Sequence, residues 1–282
     1  MNQDLSNKKP LVSIITPTFN RANFLEKTIQ SVIDQDYENI EHLVLDGGSS
    51  DNTIETLKKY DGKYNLRWIS EKDRGQADAC NKGLKMAKGE IIGFCNSDDF
   101  YTKDAVKNVV EAFIKNTNAD LVLGDCQELD CQTNQLSKLH SADPSLFENI
   151  TPEDILYGKK WLFQPSLFYS RRIIEKTGPM NINYKFFIEN DWWIRMLKNG
   201  AKVIYLDNKV IAIIGSHGGR GSVRDAAKAA KESVEFMKNN KVKVPLEKRI
   251  YYFRWKYPKI PNFLKNHFPR LFSLFRNVIR KI

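Results

Sequence analysis

The chain is poor in cysteine. It has four among 282 residues, and none of the four stands in a CxxC pair or beside a histidine at ligand spacing. Cys126 and Cys131 lie five apart, a weak metal signal. Cys80 and Cys95 fall in apolar segments, where buried free thiols are expected. Long apolar runs are also missing. None approaches the roughly 18 residues of a membrane-spanning helix. The opening MNQDLSNKKP lacks the apolar centre of a signal peptide. The expectation is a cytoplasmic chain that does not span a membrane. Basic excess is absent from most of the chain. The net charge is +10, but residues 241–282 alone carry +11, from twelve Lys/Arg and the single acid Glu247, which leaves −1 for the first 240. The basicity therefore belongs to a terminal segment, and a nucleic-acid-binding core is excluded. Internal repeats and low-complexity tracts are lacking too.

What is present reads as a globular α/β protein, with 41% hydrophobic and 11% aromatic residues. Leu11 to Thr18 reads as a buried strand. The loop FNRAN leads to a helix with apolar residues at Phe24, Leu25, Ile29, Val32 and Ile33. Ile40 to Leu45 is a second strand, ended by Asp46-Gly47-Gly48. Ser49-Ser50-Asp51 offers caps for the next helix. Leu66 to Ile69 is a third strand, Gln76 to Lys88 a helix closed by Gly89, and Glu90 to Cys95 a fourth strand. A helix from about Thr102 to Asn116 and a strand from Leu121 to Gly124 follow. Beyond them, residues 126–160 read as loop and short helix, and Gln164 to Tyr169 as a strand. A helix begins near Asp191 and stops at Gly200. AKVIYLD and KVIAII read as two strands before the loop GSHGGRGSV. This alternation with short loops predicts a mostly parallel sheet with helices on both faces. Ligands collect at the carboxyl ends of such strands. Asp46, the stretch Glu71 to Arg74 and the pair Asp98-Asp99 all lie there.

The stretch FCNSDDF sets two carboxylates side by side after an apolar strand. Adjacent like charges raise each other's pKa and repel. A helix cap accounts for one Asp but not two; a divalent ion shared with a diphosphate offsets the repulsion of both. In SEKDRGQADACNKG, Arg74 is a partner for phosphate or for an acid. Gly75 lets backbone approach a ligand, and Asp78 and Asn81 share a helix face; a capped, solvated helix start is the plainer alternative. Asp191 stands where a helix begins, so it is an N-cap or, against Trp192 and Trp193, a carboxylate raised toward a general base. The two Trp read as sugar-stacking surface or core. His217 and Arg220 lie in a glycine-rich loop of lid character, able to reach a metal or phosphate or to be plain surface.

Taken in order, SIITPTFNRANFLEKTIQSV, VLDGGSSDNT, SEKDRGQADACNKG, GEIIGFCNSDD and the late Asp-Trp-Trp before Arg195 resemble the inverting glycosyltransferases of family 2. The resemblance covers roughly Leu11 to Val223. It implies a GT-A, Rossmann-like fold over residues 1–223, with a nucleotide-binding part to about 125 and an acceptor-binding part over 126–223, followed by a basic helical extension over 224–282. It implies that Thr16, Pro17 and Thr18 line the nucleotide pocket, that Asp46 contacts the base, and that Arg74 and Asp78 surround the nucleotide. Asp99 is implied as the Mn2+ or Mg2+ ligand, with His217 assisting, and Asp98 faces the ribose or donor sugar. Asp191 is implied as catalytic base, with Gln164, Trp192 and Trp193 toward sugar and acceptor. The family's base often follows Glu; here Asn190 precedes it. The Gln-x-x-Arg-Trp motif of processive synthases is missing, and YYFRW has Tyr251 in place of its Gln. The implied reaction is transfer of one sugar, from a UDP-sugar, to an acceptor such as a glycan or polyprenyl-linked sugar in bacterial surface polysaccharide synthesis.

From Phe268 onward apolar residues recur at helical spacing among Arg270, Arg276, Arg280 and Lys281. A basic amphipathic helix of this kind reads as an anchor on the inner face of the cytoplasmic membrane, over residues 245–282, or as a helix packed on the body or on a second copy in a homodimer. Two other classes stay open: a non-catalytic sugar- or nucleotide-binding protein, and a nucleotidyltransferase. The latter usually opens on a glycine-rich basic loop, whereas PTFNRAN has no glycine.

Overall fold

A computed structural model describes residues 9–216 and 226–243. Two compact units are present, residues 1–218 and residues 219–282. The first holds a nine-stranded sheet of order β3-β2-β1-β4-β8-β6-β9-β5, with β7 paired to β6. Its strands are β1 (Val12–Thr18), β2 (Ile40–Asp46), β3 (Leu66–Ser70), β4 (Ile91–Phe94), β5 (Asp99–Tyr101), β6 (Leu121–Asp130), β7 (Gln135–His140), β8 (Phe168–Ser170) and β9 (Val203–Ser216). The half β3-β2-β1-β4 is wholly parallel. In the other half β6 and β9 run parallel, while β8, β7 and β5 are antiparallel to their neighbours.

Parallel strands buried on both faces need apolar residues at every position, and β1 is buried throughout. In-register partners share a face. Val12, Ile14 and Thr16 therefore share one face with Ile40, His42 and Val44, and Ile15 shares the other with Leu43. Helix α3 (Gln76–Met86) covers the Ile15 face. A Cβ on its Gly83 would sit 2.5 Å from Ile15 and 2.9 Å from Leu45, so only glycine lets the helix approach this closely. Helices α1 (Ala22–Ile33), α2 (Thr53–Tyr60) and α4 (Ala105–Lys115) pack on the opposite face, through Leu25, Ile29 and Leu57 against Val44 and through Val106 and Val109 against Val12 and Ile14.

The second half departs from the expected elements. Residues 126–160 are not mainly loop: β6 runs on to Asp130 and turns back as β7. Short helices α5 (Ser145–Glu148) and α6 (Pro152–Leu156) follow. Gln164 to Ser166 is a 3-10 turn, because Pro165 cannot donate to a ladder, and β8 begins only at Phe168. The two expected strands after Gly200 are one, β9. Its register slips between Leu206 and Val210, with Asn208 at φ 54°, so the extra residues bulge without ending the strand. Helices α7 (Arg171–Thr177) and α8 (Ile188–Lys198) precede it. In the second unit, α9 (Ala226–Asn239) is described, with Val234, Phe236 and Met237 buried.

Candidate active site

Because β1 to β4 are parallel, their carboxyl ends meet at one edge. The turns leaving them are stitched together there. Asp46 ends β2 and is almost fully buried. Its Oδ2 accepts from Gly48 N at 3.1 Å, Ser49 N at 3.0 Å and Ser70 Oγ at 2.6 Å, and its Oδ1 accepts from Ser49 Oγ. The carboxylate is thus the organiser of the β2 turn, tied across to the end of β3. Asn20, in the left-handed region, donates its amide to Ser49 Oγ, and Ser50 N donates to Asn20 Oδ1. Asp51 accepts from Thr53 and from Ala22 N, so it joins the starts of α1 and α2 instead of capping one alone.

Thr16, Pro17 and Thr18 lie in β1 and are buried. Thr16 Oγ1 is 2.9 Å from His42 Nε2, and His42 Nδ1 is 2.6 Å from the Tyr64 hydroxyl. Burial pushes His42 down to about 3, so the ring is neutral. Pro17 is tolerated in a central strand because β4 pairs with β1 only as far as Ile15, and no amide is needed beyond it. Thr18 alone of the three keeps a spare hydroxyl: it is buried and has no partner among the described residues. Phe19 follows it, 57% exposed at the same edge.

Asp98 and Asp99 close the turn after β4. Asp99 is fully buried and begins β5; its Oδ2 accepts from Asn96 Nδ2 at 3.0 Å, and its carbonyl accepts from Thr28 Oγ1. Asp98 is mostly covered, with Arg21 Nε 3.9 Å from its Oδ2. Gly215 of β9 passes over it so closely that a Cβ there would run into the Asp98 carbonyl. Asn96 is the hub of this corner. Besides Asp99 it donates to Gln164 Oε1 at 2.9 Å, and it accepts from Gln76 Nε2 at 3.2 Å. Gln164 Nε2 reaches the Phe94 carbonyl. Gln164 therefore lies at this corner, beside Asn96. At the start of α3, Arg74 pairs with Asp78 at 3.3 Å and its amide donates to the same carboxylate. Burial opposes ionisation of Asp78, but the Arg74 contacts outweigh it and hold the carboxyl below its usual range. Asn81 turns away to clamp both backbone groups of Met180.

Helix α8 corrects the reading of its residues. It begins at Ile188, so Asp191 is not the N-cap. Asp191 is buried and its Oδ2 accepts from Arg195 Nε at 2.9 Å; Arg195 also donates to the carbonyls of Thr177 and Pro179. Trp192 and Trp193 are core residues. Trp192 donates to the Gly178 carbonyl and lies 5.9 Å from the Phe94 ring, and Trp193 donates to the Tyr169 hydroxyl. Buried at both faces, neither ring is open to a sugar. Glu189 stands three and four residues before these rings, and so on their face of the helix. Its charge acts on Cys80 of α3 and on Tyr169. Burial raises the Glu189 carboxyl above its ordinary value, and no neighbouring side chain donates to it among the described residues.

Sequence reasoning missed Arg21, Asn96, Phe19 and Glu189. Asn96 sits inside FCNSDDF, overshadowed by the acids, and the spacing of Glu189 from the two Trp was the signal for its facing. His217 and Arg220, expected at the metal or phosphate, lie outside the described residues. Among the described residues there is no group of three or more His, Cys, Asp or Glu able to hold a metal ion.

The chain has relatives both in sequence and in structure. An uncharacterised glycosyltransferase of Nostoc sp. is 26% identical over 174 residues, 60% of this chain and 54% of the relative. A putative teichuronic acid biosynthesis glycosyltransferase of Bacillus subtilis is 35% identical over 118 residues, 41% of this chain and 46% of the relative. The chain thus spans about half the length of these relatives. Among solved structures, TarS of S. aureus in complex with UDP-GlcNAc aligns with TM-score 0.63 at 19% identity, over 88% of this chain and 73% of that one. A mannosyltransferase of Pyrobaculum calidifontis in complex with GDP-Man and Mn2+ aligns with TM-score 0.62 at 17% identity, over 97% and 84%. These likenesses show the fold, which is GT-A. The model of glycosyl transferase family 2 matches residues 13–187, more than half of the chain, and the chain belongs to that family.

Proposed function

We propose that this chain transfers a single sugar from a nucleotide-diphosphate sugar, with UDP as nucleotide, to an acceptor hydroxyl with inversion. The observation that carries the reading is the convergence of four strand ends on one edge, with Asp46, Arg74, Asp78, Asp98 and Asp99 around it and a buried Thr18 hydroxyl left without a partner. An unsatisfied buried hydroxyl costs about 1–3 kcal/mol, a cost that a ligand at this edge relieves. The exposed Phe19 ring offers a face to a nucleobase. Donors of this class are bound by the two structural neighbours.

A divalent cation, Mn2+ or Mg2+, fits the carboxylate pair. Such ions are commonly held by one or two carboxylates plus substrate phosphates, not by an all-protein cage, and the adjacent Asp98 and Asp99 supply hard oxygen donors of that number. When bound, the cation neutralises charge on the departing diphosphate. His217 is the proposed additional donor. The chain's own residues do the rest. Arg21 and Arg74 lie among the acids as counter-charges for phosphate. A carboxylate removes the acceptor proton as the acceptor oxygen attacks the anomeric carbon, the carbon–oxygen bond to the diphosphate breaks, and the configuration inverts.

We assign that base to Glu189. Asp191, the residue expected, is tied through its Oδ2 to the Arg195 guanidinium one turn on in the same helix. It acts as a positioning residue. Glu189 lies on the α8 face of Trp192 and Trp193, where its charge acts on Cys80 and Tyr169, and its raised carboxyl suits a general base. The acceptor is proposed as a lipid-linked glycan, met at the membrane surface through residues 245–282.

The test is thermal unfolding with UDP, GDP, CDP and dTDP, with and without Mn2+, joined to donor turnover. A metal-dependent rise in Tm with one nucleotide, lost in Asp99→Asn, is expected. Ligand at about 100 times its Kd stabilises by roughly 2.7 kcal/mol. Nucleotide binding without transfer to any acceptor would mark a binding protein, and no response to any nucleotide would overturn the reading.

A further inference from the structure

The burial of Trp192 and Trp193 leaves the acceptor side without its expected aromatic platform, and a different ring stands open. Trp161 is 61% exposed, although its neighbour Leu162 is buried. It lies on the segment joining α6 to the 3-10 turn. Three residues onward, Gln164 reaches the Phe94 carbonyl and Asn96, which in turn holds Asp99. Three residues span at most about 10 Å, so the backbone of Trp161 lies within that reach of Gln164.

The segment carrying the ring is built, not loose. Helix α6 opens with a reciprocal cap between Thr151 and Asp154 and packs against α8, the helix of Glu189. The Asp154 carbonyl accepts the amides of Lys159 at 2.8 Å and Lys160 at 3.3 Å, and the Lys160 ammonium pairs with the Asp154 carboxylate at 3.3 Å. Gly158 turns the chain at φ 67°, and a Cβ there would meet the Trp161 ring at 3.6 Å. The indole is thus braced against the Gly158 backbone while most of its surface stays in water. An indole held on an ordered turn with most of its surface in water is a rigid apolar face that a ligand can cover.

Resting on the glycosyltransferase reading, we propose that Trp161 is the stacking platform of the acceptor site, taking the apolar C–H face of a pyranose ring of the acceptor glycan. A flat indole suits such a face, and its N–H supplies a polar contact at the rim.

The experiment is steady-state transfer from UDP-sugars to a panel of methyl glycosides and disaccharides of hexoses, N-acetylhexosamines and uronic acids, with wild type, Trp161→Ala and Trp161→Phe. Trp161→Ala is expected to raise acceptor KM about tenfold, as loss of an aromatic anchor does, while kcat and the nucleotide-induced rise in Tm are kept. Trp161→Phe should recover most of the loss. An unchanged acceptor KM overturns the proposal. So does a wild type that turns over donor with water but uses no glycoside of the panel. A Trp161→Ala variant with wild-type kinetics but a smaller size in solution assigns the ring to a contact between chains. A wild type with no nucleotide-dependent rise in Tm speaks instead against the glycosyltransferase reading itself.

Discussion

Glu189 and Asp191 are two residues apart in α8, and about 200° of helical rotation separates their fates. Asp191 meets Arg195 one turn on, and Glu189 is turned to the face of Trp192 and Trp193. Glu189→Gln should lower kcat by ~10²–10⁴-fold and leave the nucleotide-induced rise in Tm intact. Burial raises this carboxyl, so its charged form destabilises the fold above the ordinary Glu range. The same variant is therefore expected to raise Tm at neutral pH, and differential scanning calorimetry reads the sign. The acid limb of kcat against pH should lie above the ordinary Glu value, with activity falling as Glu189 takes up its proton. Asp191→Asn should behave in the opposite way, losing about 2 kcal/mol of stability by urea titration with a smaller effect on kcat. The reverse pattern returns the base to Asp191.

At the scale of elements, the turns after β1 to β4 depend on what stands behind them. His42 joins Thr16 of β1 to Tyr64 before β3. Its folded value of about 3 lies below the usual 6.5. Above pH 6.5 the ring is neutral in both states and contributes nothing to the pH dependence. Between 6.5 and about 3 the unfolded chain binds the proton, so stability falls by up to about 1.4 kcal/mol per pH unit as pH drops. His42→Gln should flatten the profile of Tm against pH across that window; an unchanged slope would show that other groups set it. Gly215 is the second case. Gly215→Ala forces β9 off the Asp98 carbonyl, at an expected cost of about 1–3 kcal/mol, and the metal-dependent nucleotide shift should shrink with it. Gly215 bears on Asp98 without being an acid, which is why charged motifs alone do not point to it.

For the molecule as a whole, the charge is the feature that organisation alone does not explain. The sheet-bearing part is close to neutral, and residues 241–282 carry +11. None of the helices among the described residues is long and apolar enough to cross a membrane. The proposed membrane contact is tested by ending the chain at residue 244 and comparing sedimentation with vesicles containing anionic lipid. Loss of vesicle binding with nucleotide binding kept is expected, at about 1 kcal/mol for each basic residue near the surface. Equal binding by both chains would place the helix against protein.

The order of elements through β4 was legible in the sequence because parallel strands buried on both faces leave continuous apolar runs and end on Asp, Gly and Ser. The convergence of Asp46, Arg74, Asp78, Asp98 and Asp99 followed from that order, since parallel strands deliver their carboxyl ends to one edge. Pairing partners were not legible: β6 to β7 and the bulged β9 are settled by neighbouring strands, and local propensity does not see them. Nor was the direction of each side chain. A Trp is core or platform according to what packs on it, which put Trp192 and Trp193 inside and left Trp161 in water. A carboxylate is a base or a strut according to whether an arginine reaches it. The sequence by itself determined which chemistry stands at the edge, because residue type and strand order carry it. Which carboxylates and which rings are buried was decided only by tertiary structure, because burial arises between segments far apart in the chain.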